Sequence, residues 1–512
     1  MVDTIIQGKT RRRREFCAFY TNSDPILTYM VERLRIEAGD VILEPCAGDG
    51  VFIDKIIERT APSEFTLDAV DLNPQAVAKL KQKFGSHSNI TVRKADILLE
   101  PSSGLFTGDK STYTRVIGNP PYGAWQDHDR RKLLKELYGG YVRETYTLFI
   151  RRCCQLLKDN GRLVFIVPDT FLALHLHKEL RRYLVRQTKI EEILLFPSHF
   201  FPGVNFGYSN LCIITVVKSA NTKDVVTNIV TVSTAVDKIY QIAKGNYNAA
   251  DYHERIRQKD VAESEDFAFL IGVEGNTRIR DIIRGCKLRL GDIADCVTGF
   301  YSGNNQDFLA VGNHAGKNTG RYRVVPPSEI EHDFINKEDV LSGLTNEKKY
   351  IPIVKGAGPD RFSVGTNWFV RWDKKTVDFY QKDRKARFQN PRYYFKEGIG
   401  VPMVRSSKAR AFLLEKRLFD QSIVGVFPRR NEHLNYLLAF LNSDIFTKLL
   451  NAINHTANSS ANYLKKIPIL LEERAITQVN SIMESQFATR DTEGTLKEIN
   501  DVFNSLFEIP TK

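Results

Sequence analysis

The stretch IGNPPYGAW places an asparagine, two prolines and a tyrosine, Asn119 to Tyr122, where a hydrophobic segment ends. Proline lacks a backbone N–H and fixes φ, so a proline pair stops a strand or helix and stiffens the residues beside it. One interpretation is an ordinary loop. The other is a rigid loop that presents the amide of Asn119 and the ring of Tyr122 to another molecule.

Three acidic residues upstream stand in the same relation to a hydrophobic segment. Glu44, Asp71 and Asp96 each follow a short apolar run, as Asn119 does, at an interval of about 25 residues, the length of one strand, helix and return. A single acid at a strand end is more often a helix cap or a turn residue. Four polar strand ends in one register predict instead that all lie on one edge of a parallel sheet, where open α/β folds bind ligands.

The elements that must position these residues alternate apolar runs with amphipathic stretches. DVILEP, FTLDAVDL and ITVRKADIL are typical of strands, and GVFIDKIIERT and PQAVAKLKQKF are typical of helices. This alternation predicts parallel β–α–β units with buried strands. After the first strand, Gly48 and Gly50 allow a tight turn close to a ligand. Asp71 suits ribose hydroxyls, which favours a cofactor that contains a nucleoside.

Composition limits the class of protein. With 512 residues, 42% of them hydrophobic, the chain is long enough for two or three domains. The 73 Lys and Arg against 61 Asp and Glu, a formal charge of +12, favour a polyanionic partner. Seven cysteines without a CxxC pair argue against a disulfide framework and a structural zinc site, and no metal is expected. Because no leader or membrane-spanning run is visible, we expect a cytoplasmic protein.

A resemblance to a known family is carried, in chain order, by EFCAFYTNSDPILTYMV, VILEPCAGDGVF, AVDLN, KADIL and VIGNPPYG. These motifs resemble those of DNA adenine-N6 methyltransferases of the gamma arrangement, as found in type II restriction-modification systems. The resemblance implies an α/β fold, a Rossmann-like S-adenosylmethionine-dependent methyltransferase sheet with a C-terminal mixed α/β target-recognition domain. The domains expected from it are a catalytic domain over 1–220, a connector over 221–285, a target-recognition domain over 286–475 and a helical segment over 476–512.

The resemblance also implies S-adenosylmethionine as the cofactor and assigns residues to its parts. Glu44 would lie near the amino group, Asp71 would bind the ribose hydroxyls, and Asp96 would receive the adenine amino group, because carboxylates accept N–H and O–H donors. The other residues expected at the cofactor, around its methionine part and its adenine ring, are Thr21, Pro45, Cys46, Ala47, Gly48, Leu72 and Ile97.

For the NPPY motif, the resemblance implies catalysis at adenine N6, whose lone pair is delocalised into the ring. The side-chain oxygen of Asn119 and the carbonyl of Pro120 would accept its hydrogens, and Pro121 would keep the loop rigid. The base must first be flipped out of the duplex, and Tyr122 would stack on it. Phe201 is expected to supply the second aromatic face, although the neighbouring phenylalanines are typical of a core.

The segment from 382 to 410 holds nine Lys or Arg against two acids, with three aromatic residues, Tyr393 to Phe395, interleaved. Basic clusters with aromatics suit phosphate contacts and groove insertion, and a solvated charged face has the same composition. The residues predicted to bind double-stranded DNA are Arg384, Lys385, Arg387, Arg392 and Arg405. A cognate restriction endonuclease acting on the same site is a candidate partner. A monomer is expected, because catalysis and recognition lie on one chain.

Three alternatives stay open on the sequence alone. A protein-glutamine N5 methyltransferase can use the same motif on an amide nitrogen, although such enzymes are usually shorter. Cytosine-N4 methyltransferases usually carry Ser in the position of Asn119. A non-catalytic DNA specificity subunit predicts that the acids at the sheet edge are missing, whereas Glu44, Asp71 and Asp96 are all present.

Overall fold

The computed structural model describes residues 23–100, 112–123, 128–139, 142, 144–196, 211–234, 252–264, 266–271, 277–316, 318–332, 340–356, 361–365, 367–404, 408–454 and 459–509. Three of the predicted site residues, Thr21, Phe201 and Arg405, lie outside these ranges. The chain divides into two compact units, Met1–Glu274 and Gly275–Lys512.

The first unit is built around one mixed sheet. Its described strands are β1 (Asp40–Glu44), β2 (Phe65–Asp71), β3 (Ile90–Lys94), β4 (Tyr113–Gly118), β5 (Leu157–Pro168), β6 (Thr188–Phe196), β7 (Leu211–Lys218), β8 (Ile229–Thr234) and β9 (Tyr252–Arg257). They are ordered β3-β2-β1-β4-β5-β7-β6-β8-β9. Strands β1 to β5 pair in parallel, whereas β7 runs antiparallel to both β5 and β6. Because β2 and β4 flank β1, the strand order reverses there, and open α/β sheets bind ligands at such a point.

Helices follow most of these strands. The described helices of the first unit are α1 (Asp24–Leu34), α2 (Val51–Arg59), α3 (Pro74–Phe84), α4 (His128–Tyr138), α5 (Thr145–Leu156), α6 (Lys178–Gln187), α7 (Thr222–Thr227) and α8 (Gln258–Ala262). Short 3₁₀ turns cover Pro62–Glu64, Asp169–Leu172 and His175–His177. The start of α3 shows how sequence sets a boundary, since Asn73 accepts the Gln75 N–H and Pro74 occupies the first turn.

The central strands carry the core of this unit. In β5, all residues from Gly161 to Pro168 are buried, and in β7 all residues from Leu211 to Val217 are buried. Strands buried on both faces read as continuous apolar runs rather than as an alternation. The strand and helix alternation predicted for residues 40–97 agrees with β1, α2, β2, α3 and β3.

The segment 221–285, which was expected to be a connector, contributes two strands to this sheet. Strand β8 pairs in parallel with β6, and β9 pairs in antiparallel with β8. In β9, the exposed residues Arg255 and Arg257 alternate with the buried residues Glu254 and Ile256. An edge strand needs few apolar residues and often carries charge, so its sequence pattern is weak.

The second unit contains two smaller sheets among its described residues. One has the order β10-β18-β15-β16 and the other the order β12-β11-β14-β13-β17, where the strands are β10 (Ala294–Thr298), β11 (Leu309–Val311), β12 (Arg323–Val324), β13 (Tyr350–Val354), β14 (Trp368–Arg371), β15 (Ile399–Pro402), β16 (Phe412–Leu413), β17 (Leu418–Phe419) and β18 (Ile423–Pro428). An aromatic core that contains Phe300, Trp372 and Tyr380 packs within this unit.

The helices of the second unit include a C-terminal group. They are α9 (Thr277–Gly285), α10 (Leu290–Ile293), α11 (Asn305–Phe308), α12 (Lys374–Lys382), α13 (Leu434–Asn442), α14 (Asp444–Ile453), α15 (Ala461–Lys465), α16 (Glu473–Thr489) and α17 (Thr492–Leu506), with 3₁₀ turns at Pro327–Glu329, Pro391–Tyr393 and Asn431–His433. Phe503 of α17 packs against Tyr436 and Phe440 of α13, each at a ring-centroid distance of 5.4 Å. No helix in the described part of the chain has the length and apolarity needed to cross a membrane.

Candidate functional site

The four predicted polar strand ends lie along one edge of the first sheet. Glu44 ends β1 and Asp71 ends β2, and these two parallel strands are adjacent. Asn119 directly follows β4, which pairs with the other side of β1. Asp96 lies just beyond Lys94, the end of β3 and the pairing partner of Asp71. The carboxyl ends of four neighbouring strands therefore bring these side chains to the same edge.

Glu44 is a buried acid at the centre of this edge. Its side chain is 1% exposed, and its Oε2 has no hydrogen-bond partner among the described residues. Burial raises the pKa of Glu44 well above its ordinary value, and the negative charges of Asp71 and Asp54 raise it further. An acceptor buried without a donor is destabilising, so this oxygen favours a ligand that brings a positively charged N–H group. The amino group of S-adenosylmethionine meets that requirement.

The turn between β1 and α2 depends on glycine. Gly50 has a φ of 76° and directly precedes α2. A Cβ added to Gly50 would lie 2.5 Å from Cε2 of Phe84, so a larger residue does not fit without movement of that ring. The backbone N–H of Ala47 donates to the carbonyl of Val70 in β2 at 2.9 Å. The turn is therefore held against the neighbouring strand as it enters the helix.

The same turn meets the start of the NPPY loop. A Cβ added to Gly118, the last residue of β4, would lie 3.4 Å from Cδ of Pro45 and 3.6 Å from Sγ of Cys46. The backbone of Asn119 hydrogen-bonds to the Cys46 thiol, although burial raises the pKa of that thiol well above its usual value. The predicted cofactor turn and the predicted catalytic loop are thus in direct contact.

Asp71 supports the turn while keeping part of its carboxylate accessible. Its two oxygens accept the backbone N–H groups of Gly48, at 2.8 Å, and of Asn73, at 2.7 Å. Burial raises its pKa, and these hydrogen bonds oppose the rise. Next to it Leu72 is exposed, with 43% of its surface accessible, whereas Ile97 is buried.

Asp96 has a partner that the sequence did not suggest. Arg130, on α4, forms an ion pair with both carboxylate oxygens of Asp96. The backbone N–H of Leu98 also donates to Asp96, at 3.2 Å. A ligand amino group would therefore share the carboxylate with a guanidinium or displace it. Arg130 lies in a stretch of charged residues that carries no motif, so composition alone could not single it out.

The NPPY loop places its tyrosine inside the fold. Tyr122 is 7% exposed, and burial raises its pKa well above the ordinary value, so the phenol stays neutral. Its ring meets that of Tyr146 edge to face, with a centroid distance of 6.3 Å. Asn119 is half-buried and Pro120 is buried. If Tyr122 stacks on a base, its ring is supported on another side by its contact with Tyr146 of α5.

One polar residue at this edge was missed by the sequence reasoning. Asp169 directly follows Pro168, the end of β5, and β5 is the neighbour of β4. It is buried, at 6% exposure. The signal that could have found it is the one used for the other four positions, a polar residue directly after an apolar strand.

Four of the five residues predicted to bind DNA lie on the surface of the second unit, and the fifth, Arg405, lies outside the described residues. Arg384, Lys385, Arg387 and Arg392 are all exposed. The guanidinium of Arg392 lies over the ring of Tyr393, at 4.8 Å from its centroid.

The aromatic part of the same prediction needs correction. The three interleaved aromatics, Tyr393 to Phe395, are buried. They belong to the core of the second unit, where hydrophobic burial holds them, and do not form a surface for insertion into a groove.

The strand order, with an antiparallel β7 between β5 and β6, and the acidic edge beside β1 define the first unit as a class I S-adenosylmethionine-dependent methyltransferase fold. This confirms the methyltransferase fold expected from the motifs for the first unit, and its acidic edge fits the cofactor expected with that fold.

Residues 52–201 match the Eco57I restriction-modification methylase family. The matched region includes α2, the acidic strand ends Asp71 and Asp96, and the NPPY loop. The resemblance stated from the motifs is therefore confirmed at the level of restriction-modification methyltransferases.

Individual relatives agree with this class. The type II methyltransferase M.HincII of Haemophilus influenzae is 29% identical over 210 residues, which cover 38% of this chain and 36% of the relative. M.AccI of Acinetobacter calcoaceticus is 27% identical over 191 residues, covering 36% and 33%. The chain thus aligns with about a third of the length of these relatives. Among solved structures, the chain is similar in fold to a nuclease-deletion mutant of the Type ISP restriction-modification enzyme LlaGI in complex with a DNA substrate mimic, with a TM-score of 0.56 and 12% sequence identity. The superposition covers 91% of this chain and 46% of the LlaGI chain.

Proposed function

We propose that the chain is a site-specific DNA methyltransferase that modifies adenine N6 and protects DNA in a restriction-modification system. The observation that carries the proposal is the contact between the turn after β1 and the NPPY loop, in which Asn119 hydrogen-bonds to Cys46. A methyl donor bound at the first element would lie beside an acceptor bound at the second.

S-adenosylmethionine supplies an electrophilic methyl group on a sulfonium. We assign Glu44 to its amino group, Asp71 to the ribose hydroxyls and Asp96 to the adenine amino group, since carboxylates accept these donors. The remaining residues assigned to the cofactor, along its methionine part and adenine ring, are Thr21, Pro45, Cys46, Ala47, Gly48, Leu72 and Ile97. The orphan oxygen of Glu44 and the exposed side chain of Leu72 support this assignment.

At the acceptor side, Asn119 and Pro120 would act on the adenine amino group. The amide oxygen of Asn119 and the carbonyl of Pro120 accept its two hydrogens, which favours a pyramidal nitrogen with an available lone pair. No general base is needed for the attack, because the nitrogen loses its proton after it has become cationic. Tyr122 and Phe201 would stack on the flipped base.

The second unit would bind the duplex. We assign phosphate contacts to Arg384, Lys385, Arg387, Arg392 and Arg405, and the exposure of the first four supports this. The excess of positive charge, +12 for the whole chain, favours such a partner. We propose that the enzyme acts as a cytoplasmic monomer, with a cognate endonuclease cutting the same site.

The product identifies the reaction. The full chain is incubated with S-adenosylmethionine labelled with tritium in the methyl group and with mixed-sequence, unmethylated duplex DNA, and the DNA is digested to nucleosides. We expect the label in N6-methyldeoxyadenosine. Label in N4-methyldeoxycytidine, or label in protein but not in DNA, would contradict the proposal. A chain that binds DNA and incorporates no label would be a specificity subunit.

A further inference from the structure

The first turn of α5 lies directly behind the NPPY loop. The hydroxyl of Thr145, the first residue of α5, donates to the carbonyl oxygen of Pro121 at 2.6 Å. Thr145 is 1% exposed, so water does not compete for this hydrogen bond. The next residue, Tyr146, is fully buried and supports the ring of Tyr122 from the side.

This turn is itself tied to the segment that follows β5. The hydroxyl of Tyr146 lies 3.0 Å from Oγ1 of Thr170 and 3.4 Å from Nε2 of His177. Nε2 of His177 also lies 2.9 Å from Oε2 of Glu144, the residue before the helix. The start of α5 is therefore fixed between the ends of two adjacent strands, β4 and β5, and cannot shift without breaking buried polar contacts.

Because of proline geometry, the contact of Thr145 with the Pro121 carbonyl also restrains the preceding carbonyl, that of Pro120. The peptide planes on either side of Pro121 are related by its φ and ψ. The pyrrolidine ring fixes φ, so ψ is the single soft angle between the carbonyls of Pro120 and Pro121. A hydrogen bond that holds the Pro121 carbonyl restricts ψ, and so it restricts the direction in which the Pro120 carbonyl points.

We propose that Thr145 is a positioning residue for methyl transfer, which fixes the Pro120 carbonyl in the geometry needed at the acceptor nitrogen, with Tyr146 as its buried support. The proposal deepens the function proposed above and rests on it. Because Thr145 is buried behind the NPPY loop, it would act through the loop and not by contact with the base or the cofactor. Its effect is expected in turnover, since misplacing a reacting group by a fraction of an ångström to an ångström lowers rate more than it lowers ground-state binding.

The test compares Thr145→Val, which keeps the shape and removes the hydroxyl, with Thr145→Ser, which keeps the hydroxyl. Thr147→Val is the matched control, because Thr147 is also buried on this turn and its hydroxyl donates at 2.7 Å to a backbone carbonyl, that of Glu144, outside the NPPY loop. For each variant of the full chain, kcat and KM for DNA, the Kd for S-adenosylmethionine and the Tm are measured.

We expect Thr145→Val to lower kcat about tenfold to a hundredfold, with the Kd for S-adenosylmethionine unchanged. Its Tm should match that of Thr147→Val. Thr145→Ser should restore most of the turnover, and Thr147→Val should keep it. Turnover of Thr145→Val equal to the wild type, or an equal loss in Thr147→Val, would overturn the proposal.

Two further comparisons keep the outcome clear. If Thr145→Val does not fold, Thr145→Ala carries the same expectation, since a smaller side chain cannot clash, and wild-type kcat in that variant also overturns the proposal. If the wild-type chain itself transfers no methyl group to DNA, the function proposed above has failed. If the wild type methylates adenine and the Thr145 variants have the same kcat as the wild type, only the positioning role of Thr145 is rejected.

Discussion

The buried carboxyl group of Glu44 lowers the stability of the fold and favours the binding of a ligand that donates a hydrogen bond. The residue is buried at the end of β1, and its Oε2 lacks a hydrogen-bond partner among the described residues. An unsatisfied buried acceptor costs about 1–3 kcal/mol of stability. Such a residue is expected where a ligand later supplies the missing donor, because local rules of folding are broken most often at functional sites.

The raised pKa of Glu44 predicts the direction of a pH effect on cofactor affinity. In the free protein, burial favours the neutral carboxyl group, whereas a bound ammonium group favours the carboxylate. Binding therefore releases a proton below the raised pKa, and affinity for S-adenosylmethionine should increase as pH rises from the ordinary range of a glutamate carboxyl group towards neutral, where the amino group of the ligand stays protonated. Calorimetry in two buffers of different ionisation enthalpy measures both the affinity and the proton release.

A pair of variants makes this prediction specific. Glu44→Gln should weaken binding by about tenfold to a hundredfold and remove the pH dependence, since a charge-assisted hydrogen bond is worth about 1.5–3 kcal/mol. The control variant, Glu64→Gln, changes an exposed residue just before β2. It should leave both the affinity for S-adenosylmethionine and the pH dependence of that affinity unchanged. Affinity that falls as pH rises over this range, or equal behaviour of the two variants, would contradict the role of Glu44.

At the scale of elements, the sequence predicted the strands whose ends form the polar edge. Strands β1 and β4 are short, largely buried apolar runs, so both their type and their carboxyl ends could be predicted directly. Strands β2 and β3 are more exposed, and their place in the alternation of strands and helices indicated their type. Asp96 was placed at a strand end, and it lies just beyond the end of β3. The assignment of side chains to parts of a cofactor came from the resemblance and remains a prediction.

Other elements could not be predicted, for physical reasons. Strand β9 is an edge strand, and Ile256 is the one aliphatic residue among its charged neighbours. Its sequence therefore resembles that of a polar connector. The burial of Tyr393 to Phe395 depends on packing in the second unit, which composition does not reveal. The ion pair between Arg130 and Asp96 joins residues from separate elements and needs the fold to bring them together.

The basic segment after α12 predicts a salt effect on DNA binding. Each phosphate contact releases counterions, so the slope of log affinity against log salt falls by about 1 when one contact is lost. Replacing both Arg384 and Lys385 with alanine should weaken binding and reduce the slope by about 2. Electrophoretic mobility or anisotropy titrations over a series of salt concentrations give both quantities.

The control removes the same charge from a nearby exposed position. Lys374 and Lys375, in the first turn of α12, are also exposed, and their double alanine variant lowers the net charge equally. It should leave the slope close to that of the wild type. If both double variants reduce the slope by the same amount, total charge rather than this segment determines binding.

At the scale of the whole molecule, two lines of similarity cover different parts of the chain. The match to restriction-modification methylases covers 52–201, which includes Asp71, Asp96 and the NPPY loop but not Glu44 and the turn after β1. The similarity in fold to LlaGI covers 91% of the chain and so includes the second unit. The proposed reaction is thus supported by sequence similarity in the first unit. For the second unit, the similarity supports the fold alone, and the proposed binding of DNA rests on its exposed basic residues.

The central claim is that the side chain of Asn119 acts on the acceptor and has no part in holding the cofactor. Its most direct test measures methyl transfer and S-adenosylmethionine binding side by side for the wild type, Asn119→Ala and a control, Asn89→Ala, whose residue is half-buried just before β3 and donates to the carbonyl of Phe65 at 3.3 Å. The account predicts that Asn119→Ala loses at least about a hundredfold in kcat with an unchanged Kd, while Asn89→Ala retains transfer. Turnover retained by Asn119→Ala, or a parallel loss of cofactor binding, would contradict it.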